Sequence, residues 1–139
     1  MPLEDLARAD VVTAGPDATA RDLAERLHGN NVGSVVIEEQ DRPLGIVTDR
    51  DLALAMADDG MDPSTATAAD LMTEDPVTAA ATDGTFELCA QMRDAGVRRM
   101  PVVDGDELVG IVTFDDVIQL LADELQHLAT IAATESPPY

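Results

Sequence analysis

Two phrases decide how this chain is read: "GIVTDRDL" at residues 45–52 and "GIVTFDDV" at residues 110–117. An apolar run that recurs could be two similar core strands. Here the repeat also keeps Thr48 and Asp51 as Thr113 and Asp116, residues that packing alone does not ask for. The displacement is 65 positions, and it aligns far more than one motif without a gap. Val12-Thr13-Ala14 falls on Val77-Thr78-Ala79, Leu23 on Leu88, Val32 on Val97 and Asp41 on Asp106. Residues 5–62 and 70–127 therefore read as two copies of one unit. The period is too long, and the copies too few, for a solenoid. Two units that complete one another's core are expected instead.

Within a unit the order is legible. "VVT" at 11–13 is a short extended piece, and "GPDATA" supplies turn and cap residues. Ala20, Leu23, Ala24 and Leu27 follow helical spacing, with Gly29 and Asn30 as the stop. "GSVVIEE", the turn "QDRP" and "LGIVT" predict a hairpin, after which helical spacing resumes through Leu52, Leu54 and Met56. In the second copy Asp83 or Thr85 is the expected cap of a helix carrying Leu88 and Met92. "RMPVV", "DGDE" and "LVGIVT" form its hairpin, and a longer last helix follows. The chain divides into 1–62, a connecting segment at 63–75, 76–133, and a tail at 134–139.

Composition narrows the function. Hydrophobic residues make up 45% of 139 residues, enough for a core, and that core must be aliphatic because aromatics are 2%. No apolar run reaches the roughly 18 residues of a membrane helix, and "MPLEDLARAD" lacks the pattern of a signal peptide, so a cytoplasmic protein is expected. Asp and Glu number 28 against 8 basic residues, a formal charge of −20, and all 8 are arginine. Such a surface repels nucleic-acid backbones and anionic lipids. Carboxylates in this excess without lysine point to a halophilic protein suited to molar salt. His28, His127 and Cys89 lack metal-ligand spacing, so no zinc site is predicted. Cys89 and most of the six methionines fall at core-like positions. No P-loop, G-x-G-x-x-G or nucleophile motif is present, so no enzyme is predicted.

The order strand–helix–strand–strand–helix, written twice, resembles the tandem cystathionine-β-synthase (CBS) domain pair, or Bateman module. The marks are the doubled G-h-x-T-x-x-D phrase (h apolar), the "VVT" and "PVT" openings, and "VRRMPVVD". The resemblance covers almost the entire chain and implies an α/β fold of two CBS motifs related by a pseudo-twofold, as in small stand-alone members. It further implies a regulatory module that binds an adenine nucleotide (AMP, ADP or ATP) without requiring a cofactor, and commonly a disc-like homodimer. The alternative is a ligand-free dimerisation scaffold.

Thr-x-x-Asp at a strand-to-helix junction joins a hydroxyl, a carboxylate and helix N-terminal amides. That group can take a vicinal diol and a phosphate. The same spacing also writes a helix capping box, and one copy alone favours the cap. The resemblance implies that each site combines both units. One site would use Thr13, Ala18, Val32 and Gly33 with Ile111, Thr113 and Asp116. The other would use Thr78, Val97 and Arg98 with Ile46, Thr48 and Asp51. Aspartate would hold the ribose, apolar side chains the adenine, and threonines with arginines the phosphates. Arg98 and Arg99 align with Gly33 and Ser34, and Arg50 with Asp115, so the arginines are expected beside the second site. The first, without one, is expected to stay empty or to take an uncharged ligand.

Overall fold

A computed structural model of the chain describes residues 1–134, 137 and 139. Half of the tail expected at 134–139 lies outside these. In chain order the elements are α1 (Leu3–Leu6), β1 (Thr13–Ala14), α2 (Ala20–Asn30), β2 (Ser34–Glu39), β3 (Arg42–Thr48) and α3 (Asp49–Ala55). They continue with α4 (Ala68–Leu71), β4 (Thr73–Glu74), β5 (Ala79–Ala80), α5 (Thr85–Ala95), β6 (Arg99–Asp104), β7 (Glu107–Thr113) and α6 (Phe114–Ala133). This is the expected α/β order, with short helices and bridging strands added.

Each unit builds its own sheet. The first has strand order β1-β2-β3-β4 and the second β5-β6-β7. The register repeats with the sequence: Val36 pairs with Ile46 as Pro101 pairs with Ile111, and both hairpins shift register at the same place. The core face holds Val35, Ile37 and Val47 in the first unit and Met100, Val102 and Val112 in the second, and Val36 and Pro101 on the opposite face are fully buried as well. Helix α2 adds Leu23 and Leu27, and α5 adds Leu88 and Met92, on the i, i+4 faces that spacing predicts.

Several local expectations are revised. Helix α2 runs through Gly29 and ends at Asn31 (φ 51°), the position of Gly96 (φ 67°) after α5. Left-handed backbone suits both residue types. Helix α5 is preceded by Gly84 with no side-chain cap; neither Asp83 nor Thr85 serves, since Asp83 accepts instead from the Ala80 amide. Cys89 is exposed, because the inward face of α5 is Leu88 and Met92. Met92 and Met100 are core residues, whereas Met1 and Met56 are exposed.

The segment read as a connection holds the main surprise. Helix α4 packs on the first unit's core through fully buried Ala68, and α1 packs on the second unit's core through fully buried Leu3. The anchoring bonds repeat at the same displacement. Leu3 N–H donates to the Asp83 carbonyl (3.0 Å) and Ala68 N–H to the Ala18 carbonyl (2.7 Å). Glu4 N–H likewise donates to Ala81 and Ala69 N–H to Pro16. Each copy of the repeat thus lends its opening helix to the other copy's core.

That exchange explains the glycine of the repeated phrase. A Cβ on Gly45 would lie 2.5–2.9 Å from Met72 side-chain atoms, and one on Gly110 would lie 3.0 Å from Ala7 Cβ and the Arg8 carbonyl. The lent segments cross the hairpins there, so the close approach excludes a side chain.

Candidate functional site

Beyond the crossing, the lent segments continue along β3 and β7. Thr73 pairs with Ile46, and Arg8 pairs with Ile111 through two backbone bonds of 2.9 and 3.0 Å. Each segment then forms one wall of a cleft. The first cleft, about 370 Å³, is lined by Arg8, Asp10 and Val12, by Val32 and Gly33 before β2, and by Ile111, Thr113, Phe114 and Asp115. The second, about 530 Å³, is lined by Thr73, Asp75 and Val77, by Val97 and Arg98, and by Ile46, Thr48, Asp49, Arg50 and Asp51. At a displacement of 65 most of these wall positions match, but Asp51 lines the second cleft while its counterpart Asp116 does not line the first. Both clefts have the size of a small-molecule site and mix apolar with polar walls.

Most of the residues expected from sequence come together. Val32 and Gly33 meet Ile111 and Thr113 in the first cleft; Val97 and Arg98 meet Ile46, Thr48 and Asp51 in the second. Thr13, Ala18, Thr78 and Asp116 lie outside the walls, Asp116 being held by Arg8, which does line the first cleft. The Thr13 carbonyl accepts from the Arg26 guanidinium, and Ala18 packs on the first core.

Both Thr-x-x-Asp phrases form complete capping boxes. Thr48 N–H donates to Asp51 Oδ2 (2.8 Å), and Asp51 N–H donates to Thr48 Oγ1 (3.1 Å). Thr113 and Asp116 do the same at 3.1 Å each. The chain caps α2 with Thr19 and Asp22 in the same way, and at α4 the Thr67 N–H and hydroxyl both donate to Asp70 Oδ2. Thr-x-x-Asp is therefore a general cap in this chain. The two copies that follow G-I-V are the ones that stand at the two shared clefts, through Thr48 and Asp51 and through Thr113.

The arginines do not divide between the clefts as expected. Arg98 and Arg99 line both. The Arg98 guanidinium lies over the Phe114 ring, 4.8 Å from its centroid, a cation–π contact in the first cleft. Arg99 Nη1 crosses between units to the Gly33 carbonyl (2.8 Å). Arg50 stands in the second cleft with no ion pair among the described residues. The first cleft, expected to lack arginine, holds a third one that sequence reasoning missed. Arg8 donates to Asp116 Oδ1 from Nη2 (2.9 Å) and Nε (3.3 Å).

The contact sets the electrostatics of Asp116. Burial pushes its carboxyl up, but bonds from Arg8 and Thr113, with the Arg8 charge, outweigh this and hold it below the ordinary range. The folded value therefore lies below the unfolded value of about 3.9, so the contact stabilises fully above that pH and is lost as pH falls through the folded value. In Arg8→Ala the Asp116 titration midpoint, followed by NMR, moves up, and the stability gap between parent and variant closes on acidification. Equal midpoints in both proteins would contradict the contact.

Fold and clefts together define a class: two α/β units in tandem that share two equivalent ligand-sized clefts. Residues 3–58 and 68–123 each match the CBS domain family, and the chain belongs to it. It is 38% identical over 118 residues to the uncharacterized protein MK0525 of Methanopyrus kandleri, covering 84% of this chain and 60% of that one. It is 32% identical over 120 residues to hypoxic response protein 1 of Mycobacterium tuberculosis, covering 86% and 84%. The CBS domain pair of protein MJ0100, crystallised with 5′-methylthioadenosine and S-adenosylmethionine, superposes with a TM-score of 0.80 at 25% identity, covering 89% and 98%. The CBS domain protein PAE2072 of Pyrobaculum aerophilum, complexed with AMP, gives 0.77 at 27% identity, covering 88% and 99%. The crystal structure of Hypoxic Response Protein I, with two coordinated zinc ions, gives 0.78 at 32%, covering 86% and 98%. Among the described residues here, no three His, Cys, Asp or Glu side chains gather as a metal site, and no helix is long and apolar enough to cross a membrane.

Proposed function

We propose that this chain is a regulatory module that binds adenosyl nucleotides in its two clefts and passes the occupancy to a partner, with no catalysis of its own. The observation that carries the reading is the match of the two cleft walls at a displacement of 65, each cleft built from both copies of the repeat. The adenosyl ligands of MJ0100 and PAE2072 support the ligand class. In the second cleft Asp51 takes the ribose hydroxyls, Ile46 and Val97 flank the adenine, and Thr48, Arg50 and Arg98 face the phosphates. Asp116, Ile111, Val32 and Thr113 serve likewise in the first. Unit boundaries at 62 and 76 and the pseudo-twofold between units belong to the same reading. Thermal unfolding with AMP, ADP, ATP, NAD or S-adenosylmethionine tests it. A ligand at 100 times its dissociation constant stabilises the fold by about 2.7 kcal/mol. Failure of all five to shift the midpoint would favour the second reading, a ligand-free scaffold. That reading is favoured by the completeness of both capping boxes, which need no ligand.

Association belongs to this proposal. Helix α6 buries Val117, while Ile118, Leu121, Leu125, Leu128 and Ile131 are 48–66% exposed along it. An unpartnered stripe of this length suits a symmetric homodimer. Light scattering in high salt should give twice the chain mass; a value near 14.7 kDa would refute the dimer.

The halophilic setting is proposed on charge. At −20 the chain repels itself, and salt both screens that repulsion and strengthens apolar burial. The thermal midpoint should climb steeply between about 0.1 and 2 M KCl, where the Debye length falls from roughly 10 Å to below 3 Å. A flat or falling midpoint would contradict the proposal.

A further inference from the structure

The two clefts share most wall positions but differ at the carboxylate: Asp51 lines the second, whereas Asp116 does not line the first and is held by Arg8, which does. In the second, Asp51 uses Oδ2 for the Thr48 amide, and no side chain among the described residues takes Oδ1. In the first, Asp116 uses Oδ2 for the Thr113 amide and Oδ1 for Arg8. The difference traces to one aligned pair, because Arg8 stands where the other cleft has Thr73. Thr73 carries no cation to its carboxylate; Arg8 does.

We propose that Arg8 makes the first cleft selective for adenosyl ligands that carry an anionic group, a step that rests on the nucleotide reading above. A diol that approaches Asp116 meets a carboxylate already paired on both oxygens and must displace the guanidinium. Arg8 is well placed to yield. Its side chain is 69% exposed, while its backbone is tied to Ile111 by two hydrogen bonds. The side chain can therefore swing without leaving the cleft wall. A ligand phosphate gives the released guanidinium a new anion, so one charge-assisted contact replaces another. Adenosine offers none and leaves the guanidinium without its carboxylate. The second cleft, with a free Asp51 oxygen, imposes no such exchange. Arg98 and Arg99 do not set the difference, since both line both clefts.

The test is an amide NMR titration of the full chain with adenosine and with AMP, in the parent and in Arg8→Ala. Thr113 and Asp116 amides read the first cleft; Thr48 and Asp51 amides read the second. In Arg8→Ala, adenosine affinity at the first cleft should rise about two- to fivefold, the worth of an exposed ion pair. AMP gains the same relief but loses its phosphate contact, worth about tenfold, so its affinity there should fall about two- to fivefold. The AMP-to-adenosine preference thus drops about tenfold at the first cleft and holds at the second. An unchanged preference at the first cleft overturns the proposal. So does a first cleft silent to both ligands in both proteins while the second responds, which would leave the nucleotide reading standing. Silence at both clefts overturns the nucleotide reading itself.

Discussion

Replacing Asp51 and Asp116 together by Ala should abolish tight adenosyl binding while the fold survives. Each carboxylate would lose charge-assisted bonds to ribose hydroxyls worth roughly 1.5–3 kcal/mol, so each cleft should weaken at least tenfold. The same carboxylates cap α3 and α6, and loss of a cap costs about 1 kcal/mol per helix. The variants Asp22→Ala and Asp70→Ala remove caps of the same type away from the clefts and serve as controls. Calorimetric titration separates the roles. Binding retained at the parent's affinity would leave both aspartates as caps and nothing more.

Leu3→Ala should destabilise the chain by about 2–5 kcal/mol, the range for truncating a fully buried leucine. Leu3 belongs to the opening helix, yet it is wholly buried among Ala79, Leu88, Met100 and Val112 of the second unit. Because each unit borrows a helix from the other, the loss should appear in one shared transition rather than in half of the molecule. Denaturant unfolding followed by circular dichroism measures it. A change within about 0.5 kcal/mol, typical of a surface position, would mean that the lent helix does not hold the second core.

The sequence made the repeat and the hairpins legible because buried strands leave a strong mark. Val35-Val36-Ile37 is a wholly buried apolar run before the turn, Val47 lies in the strand after it, and their counterparts recur 65 positions on. It did not make the exchange of opening helices legible. Four residues, such as Leu3–Leu6 or Ala68–Leu71, are too few to show a helical period, and polar neighbours made 63–75 read as a linker. The clefts were legible where they lie in the repeated phrase itself, at Ile46, Thr48 and Asp51 and at Ile111 and Thr113. It was missed at Arg8, which sits among Glu4, Asp5 and Asp10 in a stretch that reads as solvated charge. One signal was available. Carried back to residue 8, the same displacement aligns Arg8 with Thr73, three positions before Pro76-Val77-Thr78. The glycines also had a second meaning. The structure shows what approaches Gly45 and Gly110: Met72 in one unit, Ala7 and Arg8 in the other.

The central claim is that an adenosyl ligand sits in the two clefts built from matching positions of the repeat. A single amide NMR map of the full chain, taken with AMP at saturating concentration and high salt, tests it most directly. The account predicts that the largest shifts fall on Ile46, Thr48, Asp51 and Val97 and on Ile111, Thr113, Asp116 and Val32. Residues far from both clefts, such as Glu25 and Asp59, should hold still. A map in which neither set moves, or in which the shifts gather on the exposed stripe of α6, would contradict it.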